Sequence, residues 1–203
     1  RGKRIGTQLE SSAAYFLDCM LRGAGLTSMD VVAVPFMAHT DTPVSLLPDA
    51  LSCGEIDAVA LWEPQVQRAK LAIGSDAIEF RDPAVYTEKF NLSTSQANLD
   101  DPELRPHIVA FVRALIEAAQ HLKHDPQAGW RLVARAAELD IETVKSAWPY
   151  LKYPGTLSND LLDVFERQEV WIATVQARAP RARDTLARLI DHSVLREALE
   201  TSP

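Results

Sequence analysis

The chain has 203 residues, 47% of them hydrophobic and 24% charged, and a formal net charge of −7. That length allows one large domain or two small ones with a real core, and no apolar run is long enough to span a bilayer. The acidic balance, with no visible basic face, argues against nucleic acid as a partner but not against a small anion, because local dipoles act at closer range than net charge.

Lys3 to Thr7 reads as a strand centred on residues 4–7, and the segment after it places Ala13, Phe16, Leu17, Met20, Leu21 and Ala24 at helical spacing up to Gly25. Asp30-Val31-Val32-Ala33-Val34 is a near-continuous apolar run, the pattern of a strand buried in a parallel sheet. A Pro-punctuated helix from Asp41 to Ser52 follows and stops at Gly54. Ile56 to Trp62 is the third predicted strand, Pro64 opens a third helix to about Ala72, and Ala77 to Phe80 reads as a fourth strand. This alternation is a βαβ series with right-handed crossovers, an α/β unit.

After about residue 100 the pattern is helical. Asp101-Pro102 and Asp125-Pro126 each read as an N-cap followed by proline, and Ile108, Phe111, Val112, Leu115, Ile116 and Ala119 form an apolar stripe. A short helix is expected from Asp140 to Trp148, a long one from near Ser158, and a basic, Pro-containing loop at 177–183. Trp130, Trp148 and Trp171 fall at or near apolar helix faces and read as core or interface residues. These helices have no strands of their own to pack on.

Cys19 and Cys53 have neither metal-ligand nor redox spacing and read as small buried thiols; an even count permits one disulfide in an oxidising compartment. His121 and His124 lie three apart on one helix, but nothing nearby supplies a second pair of ligands, so they read as a solvated helix end and no metal is expected. The chain opens on Arg1 with neither an initiator Met nor a signal sequence, the pattern of a processed or shortened chain.

The most informative segment follows the first strand. Ser11 and Ser12 at a strand-to-helix turn offer hydroxyls beside unpaired N–H groups at the positive end of a helix dipole. Two readings stand: an anion cradle, or a plain helix cap. Thr7, Gln8, Glu10 and Ala13 share that turn, and a Glu10 carboxylate there repels an anion and suits a cationic group. Phe36, Met37, His39 and Thr40 follow the second strand, in position to line a cleft with that turn, although His39 reads better as a surface loop residue. Trp62 and Glu63 follow the third: Trp62 walls a pocket or packs the lobe surface, and Glu63 contacts a ligand or simply suits the helix start before Pro64.

Gly2-Lys3-Arg4-Ile5-Gly6, then Ser11 to Leu17, then Gly54-Glu55-Ile56-Asp57-Ala58-Val59-Ala60-Leu61-Trp62-Glu63-Pro64, resembles in order the nitrate, sulfonate, taurine and thiamine-precursor group of periplasmic substrate-binding proteins of ABC transporters. Asp101-Pro102-Glu103-Leu104, His124-Asp125-Pro126 and Ala147-Trp148-Pro149 continue the succession. The resemblance implies a type II periplasmic-binding fold, two α/β lobes closing over a ligand. Residues 1–88 would be the second lobe and 89–203 a mainly helical part returning to a first lobe whose N-terminal sheet is absent.

It further implies a periplasmic protein without cofactor or catalysis that captures a small anionic or zwitterionic solute for a membrane permease. Thr7, Gln8, Glu10, Ser11, Ser12, Ala13, Phe36, Trp62 and Glu63 would be its ligand-binding residues. An enzyme of desulfinase or thiamine-pyrimidine type on the same scaffold, or the effector domain of a regulator, are the alternatives. Stripped of most of one wall of the ligand cleft, the 203-residue chain by itself should bind its ligand weakly or not at all. The uncovered Ile108–Ile116 stripe should fold back on that lobe or pair the chain into a homodimer.

Overall fold

The computed structural model describes residues 1–36 and 43–200. In chain order the elements are β1 (Arg4–Thr7), α1 (Ser12–Gly23), β2 (Val32–Pro35), α2 (Leu47–Ser52), β3 (Ala58–Ala60), α3 (Gln65–Ile73), α4 (Gln96–Asp100), α5 (Leu104–His124), α6 (Pro126–Ala136), α7 (Ile141–Ala147), α8 (Leu161–Val175), α9 (Arg183–Ala187) and α10 (Ser193–Glu200). They form two compact units, Arg1–Glu88 with Asp140–Tyr150, and Lys89–Leu139 with Leu151–Pro203.

The first unit is built on a parallel sheet ordered β2-β1-β3, with Thr7 opposite both Pro35 and Ala60. Its core gathers Ala13, Phe36, Leu47, Ala50, Ile56 and Leu61, with Val34, Val59 and Trp62 packed against them. Burying a side chain such as Leu47 or Ile56 stabilises by about 1.5–3 kcal/mol. Gly6 on the central strand makes that packing possible: a Cβ there would overlap Leu47 Cδ2 and come within 2.7 Å of Ile56 Cδ1.

Each helix boundary has a local cause. Ser11 is extended (φ −120°, ψ 171°) and caps α1 through its side-chain oxygen. At the other end Gly25 adopts φ 67°, and the Gly25 and Leu26 amides bond back to the Arg22 and Leu21 carbonyls in a Schellman arrangement. Asp140 caps α7 at Thr143 N (2.8 Å), and α7 packs on α3 within the first unit.

Three expectations for this unit are corrected. The apolar run at 31–34 is not a buried strand: β2 is an edge of the sheet, with Val32 52% exposed and Ala33 exposed. Ala77 to Phe80 is not a strand: among the described residues the sheet has three strands, and Ile78 and Phe80 are 80% and 73% exposed. Glu79 and Arg81 instead spend their side chains on ion pairs with Lys70 and Glu63, which hold the segment without a ladder. Cys53 is exposed at the end of α2, not buried, and both it and the half-buried Cys19 are free thiols.

The second unit is helical. Asp101 accepts from the Glu103 and Leu104 amides (2.8 and 3.2 Å) to open α5, and Asp125 caps α6 at Ala128 N (3.2 Å). Its core joins Leu99, Val109, Val194 and Ala198, with Ile108, Val112 and Ile116 against them. Arg105 fastens α10 to α5 through Glu197 and through Ser193 Oγ (2.8 Å). The chain's last helix therefore covers one side of the predicted stripe, while Phe111 and Leu115 stay 57% and 40% exposed. Among the described residues no helix is long and apolar enough to cross a membrane.

Candidate functional site

Because β1, β2 and β3 are parallel, their following segments emerge at one carboxyl edge, where ligands of open α/β sheets bind. The Phe36 amide extends the β1–β2 ladder by donating to the Thr7 carbonyl (2.9 Å). Ala13 from α1, Phe36 from the end of β2 and Trp62 from the end of β3 meet in the same cluster. Three sequence candidates from three separated segments are thus brought together. Met37, His39 and Thr40 lie outside the described residues.

The two adjacent serines divide the roles that the sequence left open. Ser11 Oγ donates to the Gln8 carbonyl (2.6 Å) and accepts from the Ala13 and Ala14 amides at 3.2 and 3.4 Å, so its hydroxyl is committed to the cap. Ser12 is the first helical residue, half-buried, and its hydroxyl has no hydrogen-bond partner among the described residues. Thr7 is 1% exposed, and its Oγ1 likewise has no partner among the described residues, although a buried hydroxyl ordinarily finds one. The long bonds to Ala13 and Ala14 leave those amides able to turn to a stronger, anionic acceptor.

Glu10 occupies the left-handed region (φ 51°) and is exposed, so the turn directs it outward while Gln8 is half-buried. Left-handed backbone costs a non-glycine residue roughly 1–2 kcal/mol, and such strain gathers at functional turns. Trp62 is half-buried and packs against the core cluster, which supplies its packing role.

Glu63 is not open to a ligand in the way its position suggested. Its side chain is 7% exposed and accepts from Arg81 Nη2 (2.6 Å), Gln67 Nε2 (3.2 Å) and the Gln67 amide (3.3 Å). Arg81 also pairs with Glu79, which Lys70 holds in turn, and its guanidinium carbon lies 3.6 Å from the Tyr150 ring centroid. Burial alone would lower the Arg81 pKa, but the bonds to Glu63 and Glu79 outweigh it and raise it. For Glu79 burial acts upward, and the bonds from Lys70 and Arg81 bring its carboxyl below the usual range. Nearby, Tyr86 meets Tyr15 of α1 edge to face, centroids 5.1 Å apart.

Arg81, Gln67 and Tyr150 were not among the sequence candidates. The signal that could have found Arg81 is the alternation Ile78, Glu79, Phe80, Arg81, in which the polar positions face charges supplied by α3 and the end of β3. No metal site emerges: among the described residues no three His, Cys, Asp or Glu side chains are placed to hold an ion. His124 Nδ1 is 2.7 Å from the Gln120 carbonyl on its own helix.

No protein-family model matches the chain, and no curated protein matches it either. Solved structures do. The alkanesulfonate-binding protein SsuA of Xanthomonas axonopodis pv. citri, bound to MOPS, superposes with a TM-score of 0.63 at 19% identity, over 98% of this chain and 62% of that one. The periplasmic aliphatic sulphonate binding protein SsuA of Escherichia coli superposes with a TM-score of 0.68 at 16% identity, over 94% of this chain and 59% of that one. The chain therefore carries the α/β fold of the periplasmic sulfonate-binding proteins and spans about three-fifths of their length.

Proposed function

We propose that the chain is the ligand-capturing part of a solute-binding component of an ABC importer, and that its ligand is a small organosulfonate. The observation that carries this reading is the start of α1 at the carboxyl edge of the sheet. There the Ser12 hydroxyl and the buried Thr7 Oγ1 lack partners among the described residues, and the Ala13 and Ala14 amides are only loosely held by Ser11. A helix N-terminus of this kind favours an anion, each end contributing on the order of 1 kcal/mol, so several donors must converge. Half-buried Trp62, at the end of β3, would supply an apolar wall for the organic part of such a molecule. The likeness of the fold to two sulfonate-binding proteins supports the same class.

No covalent chemistry is needed, since capture rests on pre-aimed hydrogen bonds. In this reading residues 1–88, with α7, are the second lobe of a periplasmic binding protein, and the rest of the chain returns to the first. The partner is the membrane permease. The test is thermal unfolding of the chain with ethanesulfonate, MOPS, taurine and nitrate, each against chloride at equal ionic strength. A ligand that binds only the folded chain raises its midpoint with concentration. The sulfonates should do so more than nitrate, at the millimolar concentrations that weak binding by a chain of about three-fifths length requires; a midpoint indifferent to all four there, or raised equally by nitrate, would contradict the reading.

A further inference from the structure

A carboxylate at the carboxyl edge is an obstacle to capturing an anion there. Glu63 lies three residues beyond Ala60 of β3, and Ser12 five beyond Thr7 of β1, two residues that are register partners on adjacent strands. Among the described residues Arg81 is the one cation within ion-pair distance of the Glu63 carboxylate; its other partner, Gln67, is neutral. The neighbouring Glu79 differs, because Lys70 would still pair with it if Arg81 were lost. Arg81 is itself fixed in place, stacked on Tyr150 and bonded on two sides.

We propose that Arg81 sets the charge selectivity of the site: by neutralising Glu63 it lets the carboxyl edge of the sheet accept an anion. This rests on the anion-binding reading of the α1 N-terminus given above. Arg81 touches no ligand in this scheme; it acts through Glu63 and is a positioning residue. Without it, a nearly buried carboxylate keeps only the two Gln67 N–H bonds and the longer-range attraction of Lys70, which is already paired with Glu79, so its charge repels an anion and attracts a cation. The same edge would then prefer a molecule carrying an ammonium group beside its sulfonate.

The experiment is a calorimetric titration of the 203-residue chain and its variants with ethanesulfonate and with taurine, which adds an ammonium group to the same skeleton. Arg81→Gln should bind ethanesulfonate roughly tenfold more weakly while losing less affinity for taurine, a shift in ratio that simple misfolding does not produce. Arg81→Lys, which keeps the charge, should retain the wild-type ratio. The double variant Arg81→Gln with Glu63→Gln should recover ethanesulfonate binding, since no charge then needs neutralising. If the wild type binds and Arg81→Gln keeps its ratio, or the double variant fails to recover, the role of Arg81 is overturned alone. If the wild type takes up neither molecule, the anion site falls and this proposal with it.

Discussion

At the scale of single residues, the position with least freedom is Gly6. A Cβ there meets the ends of Leu47 and Ile56, both almost fully buried, so the core must shift to admit one methyl group. Overpacking of this kind costs about 1–3 kcal/mol. Gly6→Ala should therefore lower the urea midpoint of the first unit, with an unchanged denaturant slope; a midpoint equal to wild type would show that the core is looser than its packing indicates. The sequence marked Gly6 only as part of a motif, because the clash comes from residues 41 and 50 positions away in the chain. Ser11 and Ser12 show the same limit. A serine pair before a helix is visible in sequence, but which hydroxyl caps and which is left over depends on the backbone turn at Ser11.

Among the elements, the helices were legible where a cap announced them. Asp125 before Pro126, Asp140 before Ile141 and Gly25 after α1 lie where the sequence placed them, since capping is a local event. The fourth strand was misread because Ala77 to Phe80 has strand-like alternation, while its fate is decided by charges from Lys70 and Glu63, distant in sequence. The segment after α8 illustrates how such charges hold a loop. Glu169 is nearly buried, bonded by the Arg178 guanidinium and the Arg181 amide, and these hold its carboxyl down to about 2. A carboxyl whose pKa is depressed by folding stabilises above its unfolded value, about 4.5, and that stability is lost as pH falls from there toward 2. Urea unfolding followed by the fluorescence of Trp171 on α8 should therefore weaken across this window in the wild type and less steeply in Glu169→Gln; equal slopes would contradict the assignment.

For the whole molecule, the α/β class and its three parallel strands were legible as strand-like runs separated by helical spacing, but the burial of the second strand was not, since whether an apolar run lies inside a sheet or at its edge depends on strand order. The half-covered stripe of α5 was not legible, since its cover, α10, arrives some 80 residues later. Function depends on the claim that the start of α1 receives a sulfonate. The most direct measurement is amide-resolved NMR of the chain titrated with ethanesulfonate into the millimolar range. The Ser12, Ala13 and Ala14 amides should shift together and saturate, and Ser12→Ala should weaken the effect without disturbing the rest of the spectrum. Shifts confined to other parts of the chain, or linear shifts that sodium chloride reproduces, would contradict the account.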